Sequence, residues 1–341
     1  MKKIVSSLIA LSLAMSLMAC GTDAAKEKEA ATTKTEETAT TDDSKTYNVG
    51  VIQLVQHPAL DTATQGFTDA LKEKLGDNVN ITVENASGDN ATCATIANTF
   101  VSDNVDLIMA NATPALQACE TATSTIPIVA TSITDYASAL DIEDWSGATG
   151  VNVTGTSDLA PLDGQAEMLH SLFPDAKEVG LIYCSGEKNS LYQAKEMTKY
   201  LEDYGYNVTD YTFADSADVG TVVQSACGAS DVIYVPTDNV AANAAETINN
   251  IALTAKVPII AGEEGICKGC GIATLSISYY DIGYNAGLMA YEILVNGKDP
   301  ASYEIQYATE FTKEYNPVVA EKLGITLPDD YVAIETEDSE E

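Results

Sequence analysis

The sequence predicts an α/β protein built as two doubly wound parallel-sheet lobes joined by crossing strands. Short apolar runs of strand length alternate with longer segments of helical period, the rhythm of a parallel sheet with helices on both faces. The rhythm runs once, breaks at a Gly-, Thr- and Asn-rich stretch from Gly147 to Asp158, and runs again. The chain is 341 residues long, more than one hydrophobic core ordinarily serves.

Taken in order, Val49–Leu54 reads as a strand and Pro58–Leu75 as a helix, followed by strand Ile81–Glu84 and helix Cys93–Val101. Asp106–Ala110 is a third strand, and Pro114 opens a helix at a position where a missing N–H costs nothing. Ile126–Ala130 completes the first series. The second comprises strand Val179–Tyr183, helix Tyr192–Tyr204, strand Asn207–Phe213, helix Val219–Cys227, strand Asp231–Val235, helix Ala241–Ala255 and strand Pro258–Ala261. Gly147–Asp158 is a crossover, and a helix at Asp281–Asn296 with a strand at Tyr303–Ala308 implies two further crossings. The first lobe is then 47–155 plus 277–302, the second 156–276 plus 303–334, and 335–341 is an acidic tail.

Lys2 and Lys3 precede an apolar run from Ile4 to Met18, the pattern of an export signal, too short to span a bilayer comfortably. Leu17-Met18-Ala19-Cys20-Gly21 resembles the lipobox of bacterial lipoproteins. The resemblance implies removal of residues 1–19, lipidation of Cys20 and anchoring on the outer face of the cytoplasmic membrane; a plain signal peptide is the alternative. Thr22 to Thr46 contains no aromatic residue and no Leu, Ile, Val or Met, so 20–46 reads as a disordered tether.

Composition narrows the function. There are 51 Asp and Glu against 17 Lys and no Arg, a formal net charge of −34. Such a chain repels phosphate backbones, which excludes nucleic acid as a partner. Without Arg, a bound anion must be held by backbone N–H groups, hydroxyls, amides or Lys.

Ligands of parallel α/β sheets sit beyond the carboxyl ends of the strands, and lobe junctions favour pockets. Those ends carry Gln53 and His57, Asn111 and Thr113, Thr134 and Asp135, Asp158, Asn189 and Ser190, Thr237, Asp238 and Asn239, and Glu263. The same residue types cap helices. Their convergence on one cleft favours a site for a small polar solute.

The runs Gly50–Asp61 (GVIQLVQHPALD), Ala112-Thr113-Pro114, Thr154–Leu159 (TGTSDL) and Tyr234–Asn239 (YVPTDN) resemble the substrate-binding lipoproteins of ABC transporters of the tryptophan or aromatic amino-acid type. The resemblance extends from Tyr47 to Leu327. It implies a type I periplasmic-binding-protein fold, closure on a solute and delivery to a permease and its ATPase. It further implies an amino-acid solute, a monomer and no cofactor. A nucleoside, sugar or peptide solute, or a sensor role toward a membrane receptor, are the alternatives.

For an amino-acid zwitterion, the first turns at Thr113 and at Asn189-Ser190 are candidates for the carboxylate. Asp238 is the first candidate for the ammonium, ahead of Asp135, Asp158 and Glu263. Leu54, Tyr183, Tyr279 and Tyr280 are candidate walls, and His57 either meets solute or shapes its loop. Cys93, Cys119, Cys184, Cys227, Cys267 and Cys270 are read as local disulfides or free thiols. The Cys267/Cys270 pair has no nearby His to complete a zinc site, so no metal is expected. No nucleophile elbow, P-loop or dinucleotide fingerprint is present, and an enzyme is not expected.

Overall fold

The computed structural model of the protein describes residues 45–336. The expected signal segment, Cys20 and nearly all of the tether lie outside the described residues, as do the last residues of the acidic tail.

The chain begins with β1 (Tyr47–Gln53), α1 (Pro58–Leu75), β2 (Val79–Asn85), α2 (Asn90–Ser102), β3 (Leu107–Asn111), α3 (Thr113–Ala122), β4 (Ile128–Ile133), the single turn α4 (Tyr136–Ala139) and β5 (Val153–Ser157). It crosses to the second lobe, where α5 (Leu162–Leu172), β6 (Glu178–Cys184), α6 (Lys188–Asp203), β7 (Asn207–Phe213), α7 (Val219–Cys227), β8 (Val232–Val235), α8 (Asn239–Asn243), α9 (Ala245–Ala255), β9 (Ile259–Ala261), α10 (Glu264–Gly269) and β10 (Ala273–Ser276) follow. A second crossing leads to α11 (Tyr279–Asn296) and β11 (Gln306–Tyr307), and a third to β12 (Thr312–Tyr315), α12 (Pro317–Leu323) and β13 (Val332–Ala333).

The first sheet has the order β11-β5-β4-β3-β1-β2 and the second β13-β12-β10-β9-β8-β6-β7. All pairings are parallel except β10 with β12. The central strands of each sheet are buried on both faces and read as nearly continuous apolar runs, whereas edge strands such as β2 and β7 are largely exposed. Successive β1 residues alternate between cores: Val49 and Val51 pack with Phe67 and Met289 beneath α1 and α11, whereas Ile52 packs with Phe100 and Leu116 beneath α2 and α3. In the second lobe Ile182, Val223 and Ile248 fill one core, and Leu181, Met168 and Met197 the other.

The expected two-lobed architecture is present, with differences in detail. β5 runs to Ser157 and pairs with β4 and β11, so Gly147–Asp158 contains a strand of the first sheet and the first crossing follows Ser157. Gln306 and Tyr307 pair with Thr156 and Ser157, which moves the third crossing from 303 to beyond Tyr307. The expected helix Ala241–Ala255 is divided at Ala244, whose φ of −105° and ψ of 12° leave the helical region. The Cys267/Cys270 pair sits on and just after helix α10 rather than on a loop. No helix among the described residues is long and apolar enough to cross a membrane.

Candidate functional site

The carboxyl ends of the two sheets face one another across the junction of the lobes. Between them lies a cavity of only about 10 Å³, lined by His57, Leu60 and Ser132 from the first lobe, Asp158 and Tyr279 from the crossings, and Asn189, Thr237, Asp238, Asn239, Ala242, Glu263 and Ile266 from the second. That is room for about one water molecule. Larger cavities flank it: about 350 Å³ beside Glu263 and Tyr279, and about 240 Å³ beside Pro114, Glu187 and Asn239. The lobes are closed on one another. His57 Nε2 lies 3.3 Å from Asn239 Oδ1, and Gln193 Nε2 donates to Thr134 Oγ1 at 3.3 Å across the junction.

Of the residues expected from sequence, His57, Asp158, Asn189, Thr237, Asp238, Asn239 and Glu263 line the cavity. The others stand behind it. Gln53 is held inside its own lobe, donating to Val55 O at 2.9 Å and accepting from Thr64 Oγ1 at 2.7 Å. Asn111 Nδ2 donates to Leu60 O at 2.8 Å, tying β3 to α1. Thr134 donates to Asp158 Oδ1 at 3.0 Å, Asp135 caps α4 through Ser138 N, and Ser190 donates to Asp238 Oδ2 at 2.7 Å. Thr113 is buried in the first turn of α3. Among the expected walls, Tyr279 reaches the cavity, whereas Leu54, Tyr183 and Tyr280 do not.

Asp238 is already saturated. Oδ2 accepts from Cys184 N at 2.6 Å and from Ser190, and Oδ1 accepts from Ala241 N at 2.7 Å. It caps α8 and fastens that turn to β6, so its hydrogen-bonding capacity is largely spent within the second lobe. Glu263 likewise caps α10, accepting from Gly265 N at 2.6 Å and from Ile266 N. Glu187, absent from the expected set, accepts from Asn239 N at 3.1 Å and Asn239 Nδ2 at 2.7 Å.

Asp158 differs from these three. Its side-chain partners are two hydroxyls, Thr134 Oγ1 and the Tyr279 hydroxyl at 3.1 Å, rather than the backbone donors of a helix start. No Lys lines the cavity. Burial pushes the Asp158 carboxyl up to about 6 and that of Glu263 up to about 7. Asp238 and Glu187 are also raised by burial, Glu187 further by the charge of Asp238. Burial lowers the His57 pKa despite its bond to Asn239, favouring the neutral ring.

Buried polar atoms without a hydrogen-bond partner gather at the same place. They include His57 Nδ1, Ser132 Oγ and Asn189 Oδ1 on the cavity wall and Asn111 Oδ1 behind it. Such atoms are rare in folded proteins because each forfeits its hydration, and a cluster of them marks a place for a polar guest. α1 and α3 begin with no side-chain cap, so their first-turn N–H groups retain donor capacity. Ala112, preceding α3, has φ of 87°, and Ser132 has φ of 57°, conformations costly for residues bearing a Cβ. Ser132 sits where the β4–β5 register shifts, and its role carries no signal in residue type alone.

The six cysteines among the described residues stand as free thiols. Cys267 and Cys270 are held within one short helix and its cap, and Cys93, Cys119, Cys267 and Cys270 are inside the cores. No metal-binding grouping of His, Cys, Asp and Glu is present among the described residues.

The chain is similar to known proteins over most of its length. It is 38% identical over 301 residues to the tyrosine-binding protein of Clostridioides difficile (strain R20291), covering 86% of this chain and 84% of that one. It matches the ABC domain in complex with L-Trp from Streptococcus pneumoniae with a TM-score of 0.80 and 32% identity, covering 84% and 97% of the two chains. Against the ligand-free, open structure of a Clostridium difficile substrate-binding protein with adhesive properties, the TM-score is 0.66 at 34% identity, covering 85% and 100%. The arrangement of the lobes is thus nearer to the ligand-bound relative than to the open one. The family described as ABC transporter substrate-binding protein matches residues 48–338. With two lobes of the type I periplasmic-binding-protein fold meeting at a polar cavity, this chain belongs to the ABC transporter substrate-binding proteins, a family of carriers rather than catalysts.

Proposed function

We propose that the protein is the extracytoplasmic binding component of an ABC importer for an amino acid with an aromatic side chain. The observation that carries the solute class is the pairing, in one closed cavity, of an uncompensated carboxylate at Asp158 with unpartnered polar atoms on His57, Ser132 and Asn189. An ammonium group against Asp158 supplies the missing positive charge. The solute carboxylate is received by Ser132 and by the uncapped first turns of α1 and α3, since the chain has no Arg to offer. Leu60, Ile266 and the Tyr279 ring line the junction where the side chain is placed, and because the cavity they enclose has room for about one water, the lobes part from this arrangement to admit the solute. The similarity to a tyrosine-binding protein and to a relative in complex with L-Trp supports the aromatic class.

The importer role includes a permease and an ATPase as partners, recognition of the closed form, a monomeric carrier, and lipid anchorage through Cys20 outside the cytoplasmic membrane. Solute binds the closed form more tightly than the open one and draws the population toward it.

The test is a thermal-shift series on protein unfolded and refolded to remove carried-over solute, against the twenty amino acids, nucleosides and sugars. Solute at 100 times its Kd adds about 2.7 kcal/mol. A shift confined to tyrosine, tryptophan or phenylalanine is the expected result, and a shift only with sugars or nucleosides overturns the amino-acid reading.

A further inference from the structure

Beyond the cavity wall, a separate contact bridges the lobes. Lys188, the first residue of α6 in the second lobe, places Nζ 2.7 Å from Asp141 Oδ1 and 3.1 Å from Ser138 O in the first lobe. Among the ion pairs of the described residues, Lys45–Asp106, Lys74–Glu73, Lys199–Glu196 and Lys313–Asp330 each stay within one lobe; Lys188–Asp141 joins the two. Neither Lys188 nor Asp141 lines the cavity.

Local physics does not favour either residue where it stands. A cation in the first turn of a helix opposes the helix dipole, and the N-cap carboxylate of α6, Glu187, is turned away to Asn239. Asp141 has φ of 54°, the left-handed region, which an aspartate tolerates but does not prefer. Both features become intelligible through the contact they make together. Both lobes are net acidic, so closure brings like-charged bodies together. An ammonium group set between an aspartate and a peptide carbonyl of the opposite lobe relieves that repulsion where they meet.

We infer that Lys188 is a closure latch: its bonds to Asp141 and Ser138 favour the closed form and slow solute release without touching solute. In the open form Nζ and the Asp141 carboxylate separate into water, so the pair contributes only after closure. It is partly exposed, with 36% and 84% of the two side chains accessible, which makes it a modest and salt-sensitive device. Its effect falls on the release rate, because encounter with the open cleft precedes latch formation.

The measurement of solute release rests on the amino-acid reading, and a second measurement does not. Full-length protein is compared with Lys188→Met, Asp141→Asn and the double variant, with Lys188→Arg as the conservative control. Stopped-flow fluorescence with L-tyrosine and L-tryptophan should show release roughly two- to five-fold faster in Lys188→Met, association unchanged, and the difference shrinking in high salt. The double variant should be little worse than Lys188→Met, and Lys188→Arg should stay near wild type. Small-angle X-ray scattering of solute-free protein at low salt should show Lys188→Met more open on average than wild type. Should neither amino acid bind wild type, the solute reading fails and scattering alone decides the latch. Identical scattering for wild type and Lys188→Met at low salt overturns it, as does a Lys188→Met effect that is insensitive to salt and additive with Asp141→Asn.

Discussion

The Tyr279 hydroxyl donates to Asp158 Oδ2 at 3.1 Å, and the two residues stand at different crossings between the lobes. Asp158 follows the end of β5, and Tyr279 opens α11 just after the chain returns from β10. Both line the enclosed cavity, so a group that engages Asp158 acts on two of the three connections at once. A solute recognised at Asp158, as proposed, would therefore act directly on the hinge.

Asp158→Asn removes the charge while keeping the shape. Solute affinity should fall by about 1.5–3 kcal/mol, roughly ten- to a hundredfold, with little change in thermal stability. Asp238→Ala should do the reverse in the first instance, lowering stability through loss of the α8 cap and of the bonds from Cys184 and Ser190. Titration calorimetry and thermal unfolding on both variants check the contrast. Equal loss of affinity without loss of stability in Asp238→Ala would return the ammonium to Asp238.

Affinity should depend on pH in a defined direction. In the closed cavity burial holds Asp158 at about 6, above its ordinary value, so below that pH the carboxyl is protonated and neutral. A bound ammonium favours the ionised form and expels the proton. Affinity is consequently highest above pH 6 and falls on acidification, by up to about tenfold per pH unit for one coupled proton. Calorimetry in buffers of different ionisation enthalpy near pH 6 should register proton release on binding, and the Asp158→Asn variant should lose that share of it.

Gly283→Ala should destabilise the first lobe. A Cβ there would lie 2.0 Å from Ala63 O, and one at Gly66 would lie 2.2 Å from Tyr280 O, because α1 and α11 pack backbone to backbone. Overpacking of this kind costs about 1–3 kcal/mol. Urea unfolding gives the value; a variant as stable as wild type would show that the helices separate without cost.

A thiol titration in denaturant without reductant should return all six cysteines between Cys93 and Cys270. In the native protein Cys93, Cys119, Cys267 and Cys270 should react slowly, since burial both hides them and pushes their pKa up. A count of four or fewer would restore a disulfide.

Much of the framework was legible in the residues. Pro58, Leu75, Val219 and Cys227 mark helix ends where the structure has them, because proline placement and apolar period are local signals. β5 was read only as a crossover, and the expected strand at Tyr303–Ala308 was placed in the wrong lobe, because both depend on the long-range pairing of Thr156 and Ser157 with Gln306 and Tyr307. At the site, the right strand ends were identifiable but not the duties of their side chains. Asp238 and Asp158 are the same residue type in similar settings; one is consumed by backbone donors and the other is not. That distinction depends on the position of Cys184 N, which is 54 residues away in sequence. Ser132 was invisible for a related reason, since its backbone conformation follows from a register shift between two strands.

The close packing of α11 on α1 also bears on how the protein is made. The core that contains Val49, Val51 and Phe67 is completed by Met289 and Ile293, which the ribosome adds more than two hundred residues later. Until then the first lobe lacks one wall, while the segment that builds most of the second lobe, Leu162 to Ser276, is nearly contiguous. Long-range closure of this kind is slow, and an incomplete core exposes apolar surface while it waits. The half of the protein synthesised first is thus the half whose core is completed last in the chain.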